Sequence, residues 1–148
     1  MNYLFRAKTK YHSLWKYGQI ITTSKIHHSG EKTLIVLDEN YNGYAGRSFI
    51  EVESKTVGLF TGFLDKTNQR IFEGDIIATR NRKYKYYVVF ENGSFICYHL
   101  ELKDTVNGSN LRWGLLSRAF ELKDFEIEII GNVYDKMDED RTRLYNSL

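Results

Sequence analysis

The chain has 148 residues and carries 21 basic and 19 acidic side chains, so its net charge is +2 with neutral histidines. Hydrophobic residues make up 42% and charged residues 27%, a globular composition that excludes a disordered chain. A charge so close to balance does not by itself predict a nucleic-acid or membrane-surface protein. The single cysteine, Cys97, excludes an intramolecular disulfide framework and is compatible with a reducing compartment.

The sequence predicts a cytoplasmic protein that does not interact with membranes. No apolar run approaches the roughly 18 residues that cross a bilayer. The first residues contain neither a charged segment followed by a long apolar stretch nor a small-residue cleavage site, so no signal peptide is expected.

The residue types favour β-structure. Aromatic residues reach 15%, with 11 Tyr and 9 Phe, and such side chains fit the pleated, half-buried surface of a sheet. Proline is absent, so the turns have to be built from Gly, Asn, Asp and Ser. Short strand-like segments cover residues 4–7, 11–21, 33–37, 48–53, 57–63, 70–72, 76–79, 86–90, 94–100 and 125–133.

Polar turns separate these strands. Asn92-Gly93 is the strongest short hairpin signal, residues 65–69 form a polar tip, and residues 40–46 form a turn-rich loop. Strands at this spacing predict a mainly β fold and not βαβ units. We expect a small SH3-like or meander β-barrel in the C-terminal half and an N-terminal β subdomain.

One segment has a helical pattern. Between Asn110 and Phe120, apolar residues recur four positions apart, and Asn110 can cap the N-terminus. We therefore expect one short helix there. The organisation that follows is an N-terminal β subdomain at 1–56, a β module at 57–134 and a charged tail at 135–148.

The segment from Thr56 to Ile77 reads TVGLFTGFLDKTNQRIFEGDII. It resembles the signature block of the YopX family, small proteins of phages and prophages of low-GC Gram-positive bacteria. The family pattern opens with Phe-Arg-Ala and closes with Ile-Gly-Asn-x-Tyr, and here Phe5–Ala7 and Ile130–Tyr134 match both ends in order. Residues 88–95 also resemble the central hairpin of the family. The resemblance spans residues 5–134.

Two positions depart from the family pattern. The usual glycine in the turn after Asp-Lys is replaced, and we expect Asn68 to take the left-handed conformation there. Lys8 stands where the family usually has Trp. The resemblance implies a phage-encoded accessory protein of mostly β fold, from a family without a settled biochemical activity.

The signature residues themselves indicate a structural role. Gly74 supplies a backbone shape that a Cβ would obstruct, and Asp75 can accept hydrogen bonds from nearby backbone N–H groups. We interpret the Glu-Gly-Asp sequence as a turn into a buried strand. The structural motif of the signature and the closing sequence comprises Gly62, Asp65, Glu73, Gly74, Asp75, Gly131 and Asn132.

Few residues suggest catalysis. Glu73 and Asp75 could form a carboxylate pair for acid–base chemistry, although a backbone-bracing turn explains them better. Cys97 and His99 would share a strand face, but they are too few for a structural zinc site and lack an orienting third group. The adjacent His27 and His28 would point to opposite faces of a strand. We expect no metal site and no cofactor.

The strongest binding candidate is a basic and aromatic segment. Cations neutralise phosphates and aromatic rings stack on bases, which is how small barrels hold single strands. The alternative is a solvated loop leading into a strand whose tyrosines pack in the core. The candidate residues are Arg80, Arg82, Lys83, Tyr84 and Lys85, and a second candidate combines Trp113 with Arg112 and Arg118.

Three functions follow from this reading. The first is a non-catalytic protein-binding module that associates with itself and contacts an unknown host or phage protein. The second is a nucleic-acid-binding β-barrel that uses the basic segment. The third, and least favoured, is an enzyme that uses Glu73, Asp75 or the Cys97–His99 pair.

Overall fold

A computed structural model describes residues 3–23, 30–38, 49–79, 82–122 and 125–135. Most of these residues lie in two antiparallel sheets of six and five strands, which confirms the predicted mainly β class. The strands are β1 (Phe5–Lys8), β2 (Trp15–Thr22), β3 (Thr33–Leu37), β4 (Phe49–Glu51), β5 (Gly58–Leu64), β6 (Arg70–Phe72), β7 (Asp75–Thr79), β8 (Tyr84–Glu91), β9 (Ser94–Lys103), β10 (Asn110–Leu115) and β11 (Glu128–Asn132). A 3-10 helix spans Ser54–Thr56 and helix α1 spans Leu116–Glu121.

The chain forms two compact units, Met1–Phe60 (unit 1) and Thr61–Leu148 (unit 2). The division falls inside strand β5. No helix among the described residues is long and apolar enough to cross a membrane.

Unit 1 is a sheet with the strand order β4-β3-β2-β1-β5. Ala7, Ile35 and Val52 form its buried core. Lys8, the residue that departs from the family pattern, is paired with Trp15 across β1 and β2. The Lys8 ammonium lies 5.4 Å and the Arg6 guanidinium 4.4 Å from the Trp15 ring centroid. Both cations are largely buried, and the indole face offers them electrostatic attraction there.

Unit 2 contains the five-stranded sheet in the order β10-β9-β8-β7-β11. Asn92 and Gly93 form the tip of the β8–β9 hairpin that the sequence predicted, and both have positive φ. One face of the sheet packs against α1 and a segment before β11. The buried core residues are Ile71, Ile77, Tyr86, Val88, Cys97, Leu116, Ala119 and Ile127.

The predicted closed barrel is wrong. The five-stranded sheet is open, because in the described part of the chain β10 and β11 are its two ends. The edge of β11 is covered by the β5–β6 turn: Ile129 N–H donates to Asp65 Oδ2 at 3.1 Å, and Lys66 N–H donates to the Ile127 carbonyl at 2.8 Å. A turn therefore does at this edge what closure does in a barrel, since it occupies unpaired backbone groups.

The predicted helix over Asn110–Phe120 is wrong in its first half, where the chain forms β10. The Asn110 side-chain amide donates to the carbonyls of His99 and Leu100, at 2.9 and 3.1 Å, and fills a break in the β9–β10 ladder. Trp113 packs against the core of unit 2. Tertiary packing thus overrides the apolar spacing, and the helix begins only at Leu116.

Several predictions concern residues outside the described ranges. These are the turn-rich loop at 40–46, Ser48, the His27-His28 pair, Arg80 and the tail after Asp135.

Candidate functional site

The Glu-Gly-Asp sequence forms a tight turn between β6 and β7. The Asp75 carboxylate is 1% exposed and accepts the Phe72 N–H at 2.8 Å across the turn. The Glu73 carboxylate accepts the Phe90 N–H at 3.2 Å. Each carboxylate thus accepts a backbone hydrogen bond, and that of Asp75 braces the turn as the sequence interpretation expects.

Gly74 connects this turn to two other segments of unit 2. Its N–H donates to the Val88 carbonyl at 2.8 Å, and its carbonyl accepts the Val133 N–H at 2.9 Å. Its φ of +91° is in the left-handed region, and a Cβ there would lie 2.8 Å from Cε2 of Tyr134. Glycine is therefore required by both conformation and space.

We expect Gly74→Ala to lower the free energy of unfolding by about 1–3 kcal/mol, because L-residues are strained at this φ and the Tyr134 ring must shift. Urea unfolding followed by tryptophan fluorescence measures the loss. Gly131→Ala is the matched control, because Gly131 does not have positive φ and has no heavy atom within 4 Å of an added Cβ. Equal losses in the two variants would contradict the role assigned to Gly74.

The Asp65 carboxylate organises the β5–β6 turn and holds it to β11. Oδ1 accepts the N–H groups of Thr67 and Gln69 at 2.8 and 2.9 Å, and Oδ2 accepts the Ile129 N–H. Burial by itself raises the pKa of this carboxyl, but the hydrogen bonds outweigh burial and hold the pKa below its ordinary value. Asn68 takes a φ of +67° in this turn, which confirms its predicted left-handed conformation.

The remaining motif residues also shape backbone. Gly62 has a φ of +85° inside β5. Gly131 lies at a register shift between β11 and β7. The Asn132 side-chain oxygen accepts the N–H groups of Tyr134 and Asp135 at 3.0 and 2.8 Å, so it caps the turn that follows β11.

We expect Asp65→Asn to cost about 2–4 kcal/mol of unfolding free energy at pH 7, because three backbone N–H groups lose a charged acceptor. The folded-state pKa lies below the ordinary 3.8, so this stabilisation is present above that pH and disappears as the pH falls through the folded value. Urea titrations at pH 7 and below pH 3.8 should therefore show that the difference in unfolding free energy between the wild type and Asp65→Asn becomes smaller at the lower pH.

Asp104→Asn is the control for this variant. Asp104 accepts two backbone N–H groups in an exposed turn, those of Val106 and Asn107. Asp104→Asn should therefore lower the free energy of unfolding by less than Asp65→Asn does. If the difference in unfolding free energy between the wild type and Asp65→Asn is the same at both pH values, the electrostatic role of Asp65 is contradicted.

Cys97 and His99 do not form a reactive pair. The Cys97 side chain is 1% exposed, and burial raises the pKa of its thiol to about 12. The His99 ring packs beside Tyr86, with 4.8 Å between ring centroids. In the part of the chain that the structure describes, no group of three or more His, Cys, Asp or Glu side chains could hold a metal ion.

The Cys97 thiol should react with Ellman's reagent at pH 8 only when unit 2 opens, because the buried thiol is protonated and inaccessible. The reaction should be fast in denaturant and at least about a hundredfold slower in the folded protein. Val106→Cys, at a position 93% exposed, supplies the fast folded reference. Rapid labelling of folded wild-type protein would show that Cys97 is accessible.

The basic segment is tied to its own unit. Arg82 forms an ion pair with Glu128 at 3.3 Å, and the Lys85 ammonium lies 3.7 Å from the Glu101 carboxylate. The Lys83 ammonium lies 5.5 Å from the Tyr84 ring centroid, and Tyr84 itself packs against the core. The Tyr84 ring is therefore held in place by core packing, whereas Arg82 and Lys85 keep 63% and 39% of their side chains exposed. Nucleic-acid binding by Arg80, Arg82, Lys83, Tyr84 and Lys85 stays a prediction.

A second surface lies where β10 turns into α1. It is an open groove of about 520 Å³ that we call the β10–α1 groove. The sequence singled out three of its residues but placed them on one helix; the structure distributes them over a strand and a helix and adds two leucines. The groove is lined by Arg112, Trp113, Gly114, Leu115, Arg118 and Leu122.

Unit 1 has a smaller pocket of about 270 Å³. It combines exposed rings with one carboxylate, Glu51, and that carboxylate is paired with Lys10 at 3.3 Å. The lining residues are Thr9, Tyr11, His12, Lys32, Leu34, Phe49, Ile50 and Glu51.

Together these features define a mainly β protein of two compact units whose signature residues brace turns and strand edges. A family model described as YopX protein matches residues 4–137. The match covers almost the entire chain, and the protein belongs to the YopX family. A search of curated proteins found no match.

Proposed function

We propose that this YopX-family protein is a non-catalytic binding module that associates with itself and with another protein. One observation carries the proposal: the tip of the β9–β10 hairpin exposes large apolar side chains. Leu102 is 54%, Val106 93% and Leu111 39% exposed. Clustered apolar side chains that remain exposed to water are typical of protein-interaction surfaces.

All three residues belong to the β9–β10 hairpin. Leu102 and Leu111 flank the paired residues Lys103 and Asn110 at its end, just before the register shift that follows Asn110. Val106 lies in the turn that joins them, which Asp104 closes by accepting the Val106 N–H at 2.7 Å. We call this set the β9–β10 tip.

The absence of catalysis in this proposal is supported by the state of the candidate groups. Glu73 and Asp75 accept backbone hydrogen bonds, Cys97 is buried with a raised pKa, and the His99 ring packs beside Tyr86. An acid, base or nucleophile has to reach a substrate, whereas these groups contact their own backbone or the core.

The family supports the setting that we propose. We infer a phage or prophage accessory protein that acts in the cytoplasm of its bacterial host and has a host or phage protein as its partner. The signature block and both terminal motifs, which the family match spans, are the basis of that inference.

Light scattering of the full chain over a wide concentration range tests self-association. We expect the mass to rise above that of one chain, and we expect the double variant Leu102→Lys, Leu111→Lys to remain monomeric because charge replaces the apolar contact. Leu64→Lys, which changes a leucine 44% exposed elsewhere in unit 2, is the matched control and should behave as the wild type.

A wild-type protein that is strictly monomeric at high concentration would contradict self-association. A wild-type oligomer that survives the double variant unchanged would contradict the role of the β9–β10 tip.

A further inference from the structure

The β10–α1 groove combines apolar and cationic groups at a strand edge. Strand β10 leads directly into α1, and Leu115 at the junction is in extended conformation. Leu115 is 43% and Leu122 42% exposed, although both line the same groove. Between them and the arginines, Gly114 leaves open space, since no heavy atom lies within 4 Å of an added Cβ. A bound chain can therefore approach the backbone closely here.

The edge of the sheet is accessible at this groove. Among the described strands, β10 pairs with β9 alone, so its outer backbone groups face away from the sheet. Register shifts interrupt the β9–β10 ladder on both sides of Arg112. Such a bulged edge is a poor template for indiscriminate strand pairing, so side-chain chemistry has to select what binds.

The charged side chains that line the β10–α1 groove are both positive. Arg112 and Arg118 line the groove; among the residues that the structure describes, neither has an ion-pair partner and no lining residue is acidic. Three other cations of unit 2 do form ion pairs, because Lys66 and Arg82 share Glu128 and Lys85 is paired with Glu101. The two groove arginines are thus available to an external carboxylate, which a guanidinium binds with two parallel hydrogen bonds.

The charges also decide between occupants. A second copy of the same groove, related by a two-fold axis, would bring four guanidiniums together, and none of the described lining residues supplies a carboxylate between them, so the contact is repulsive. A nucleic acid is held by a row of cations that follows successive phosphates, whereas this groove alternates two arginines with leucines. A polypeptide segment with acidic and apolar side chains fits both the arginines and the leucines of the groove.

We propose that the β10–α1 groove binds a short extended segment of a partner protein in which acidic side chains flank leucine-like apolar ones. The carboxylates contact Arg112 and Arg118, and the apolar side chains pack on Leu115 and Leu122. This inference rests on the proposed function, since it names the partner chemistry of a protein-binding module. It uses other residues than the β9–β10 tip, since Leu102, Val106 and Leu111 do not line the groove.

A random-peptide display library, selected on the immobilised full chain, tests the proposal without a known partner. We expect the recovered peptides to be enriched in Asp or Glu beside Leu, Ile or Phe. The tightest of them, labelled and titrated by fluorescence anisotropy, should lose about tenfold or more in affinity for each of Arg112→Gln and Arg118→Gln. Arg82→Gln is the matched control and should bind as the wild type.

Two further variants separate binding from folding. Both groove arginines are exposed, so Arg112→Lys should preserve the unfolding midpoint and recover part of the affinity lost in Arg112→Gln, because charge returns without the planar fork. Leu115→Ser should lower the affinity for the same peptide, but the variant should still prefer peptides with acidic side chains to peptides with the corresponding amides.

Three results would overturn the inference. They are a library that yields no enriched peptide, selected peptides that bind Arg112→Gln and Arg118→Gln as tightly as the wild type, and a labelled single-stranded oligonucleotide that binds in a way that depends on these two arginines. Because self-association is read by light scattering and maps to the β9–β10 tip, each of these failures is distinguishable from failure of the proposed function.

Discussion

The five-stranded sheet depends on the two backbone hydrogen bonds of one residue, Gly74. Gly74 donates to Val88 in β8 and accepts from Val133 just after β11, so the turn before β7 holds the segments on both sides of that strand. Asp75 keeps the turn closed through the Phe72 N–H. The left-handed φ of Gly74 orients its N–H and its carbonyl toward these two partners. Within this unit, the Glu-Gly-Asp sequence therefore braces the turn between β6 and β7.

Asp65 has the corresponding role at the outer edge of β11. Its carboxylate joins two segments that are 64 residues apart in the chain. It accepts one hydrogen bond from β11 and the others from its own turn, which is why its charged form is favoured despite burial. An open sheet can in this way protect an edge without closing into a barrel.

Local chemistry made the strands and turns predictable. The strand Thr33–Leu37 coincides with its apolar run, and Asn68 and Asn92 take the positive φ that short amide side chains tolerate. In each case the sequence neighbourhood alone decides the conformation. The same holds for the backbone roles of Asp75 and Gly74, which follow from what each residue type permits.

Features set by distant partners were not predictable in this way. The segment from Asn110 has helical spacing, yet the carbonyls of β9 engage the Asn110 amide and the core takes Trp113. The sequence suggests that the cations of the basic segment are free to bind a partner, but Arg82 forms an ion pair with Glu128, which is 46 residues away. Sheet closure is likewise a property of strand edges that meet only in three dimensions.

The long-range pairing of β11 has a consequence for biosynthesis. Strand β7 pairs on one side with β8 and on the other with β11, whose residues follow about fifty positions later. Before β11 has left the ribosome, β7 can pair only with β8. Its other edge stays exposed until the Ile-Gly-Asn sequence of β11 pairs with it. Complete folding of this unit is thus deferred until β11 has been synthesised, and a chain truncated before β11 leaves β7 with an open, aggregation-prone edge.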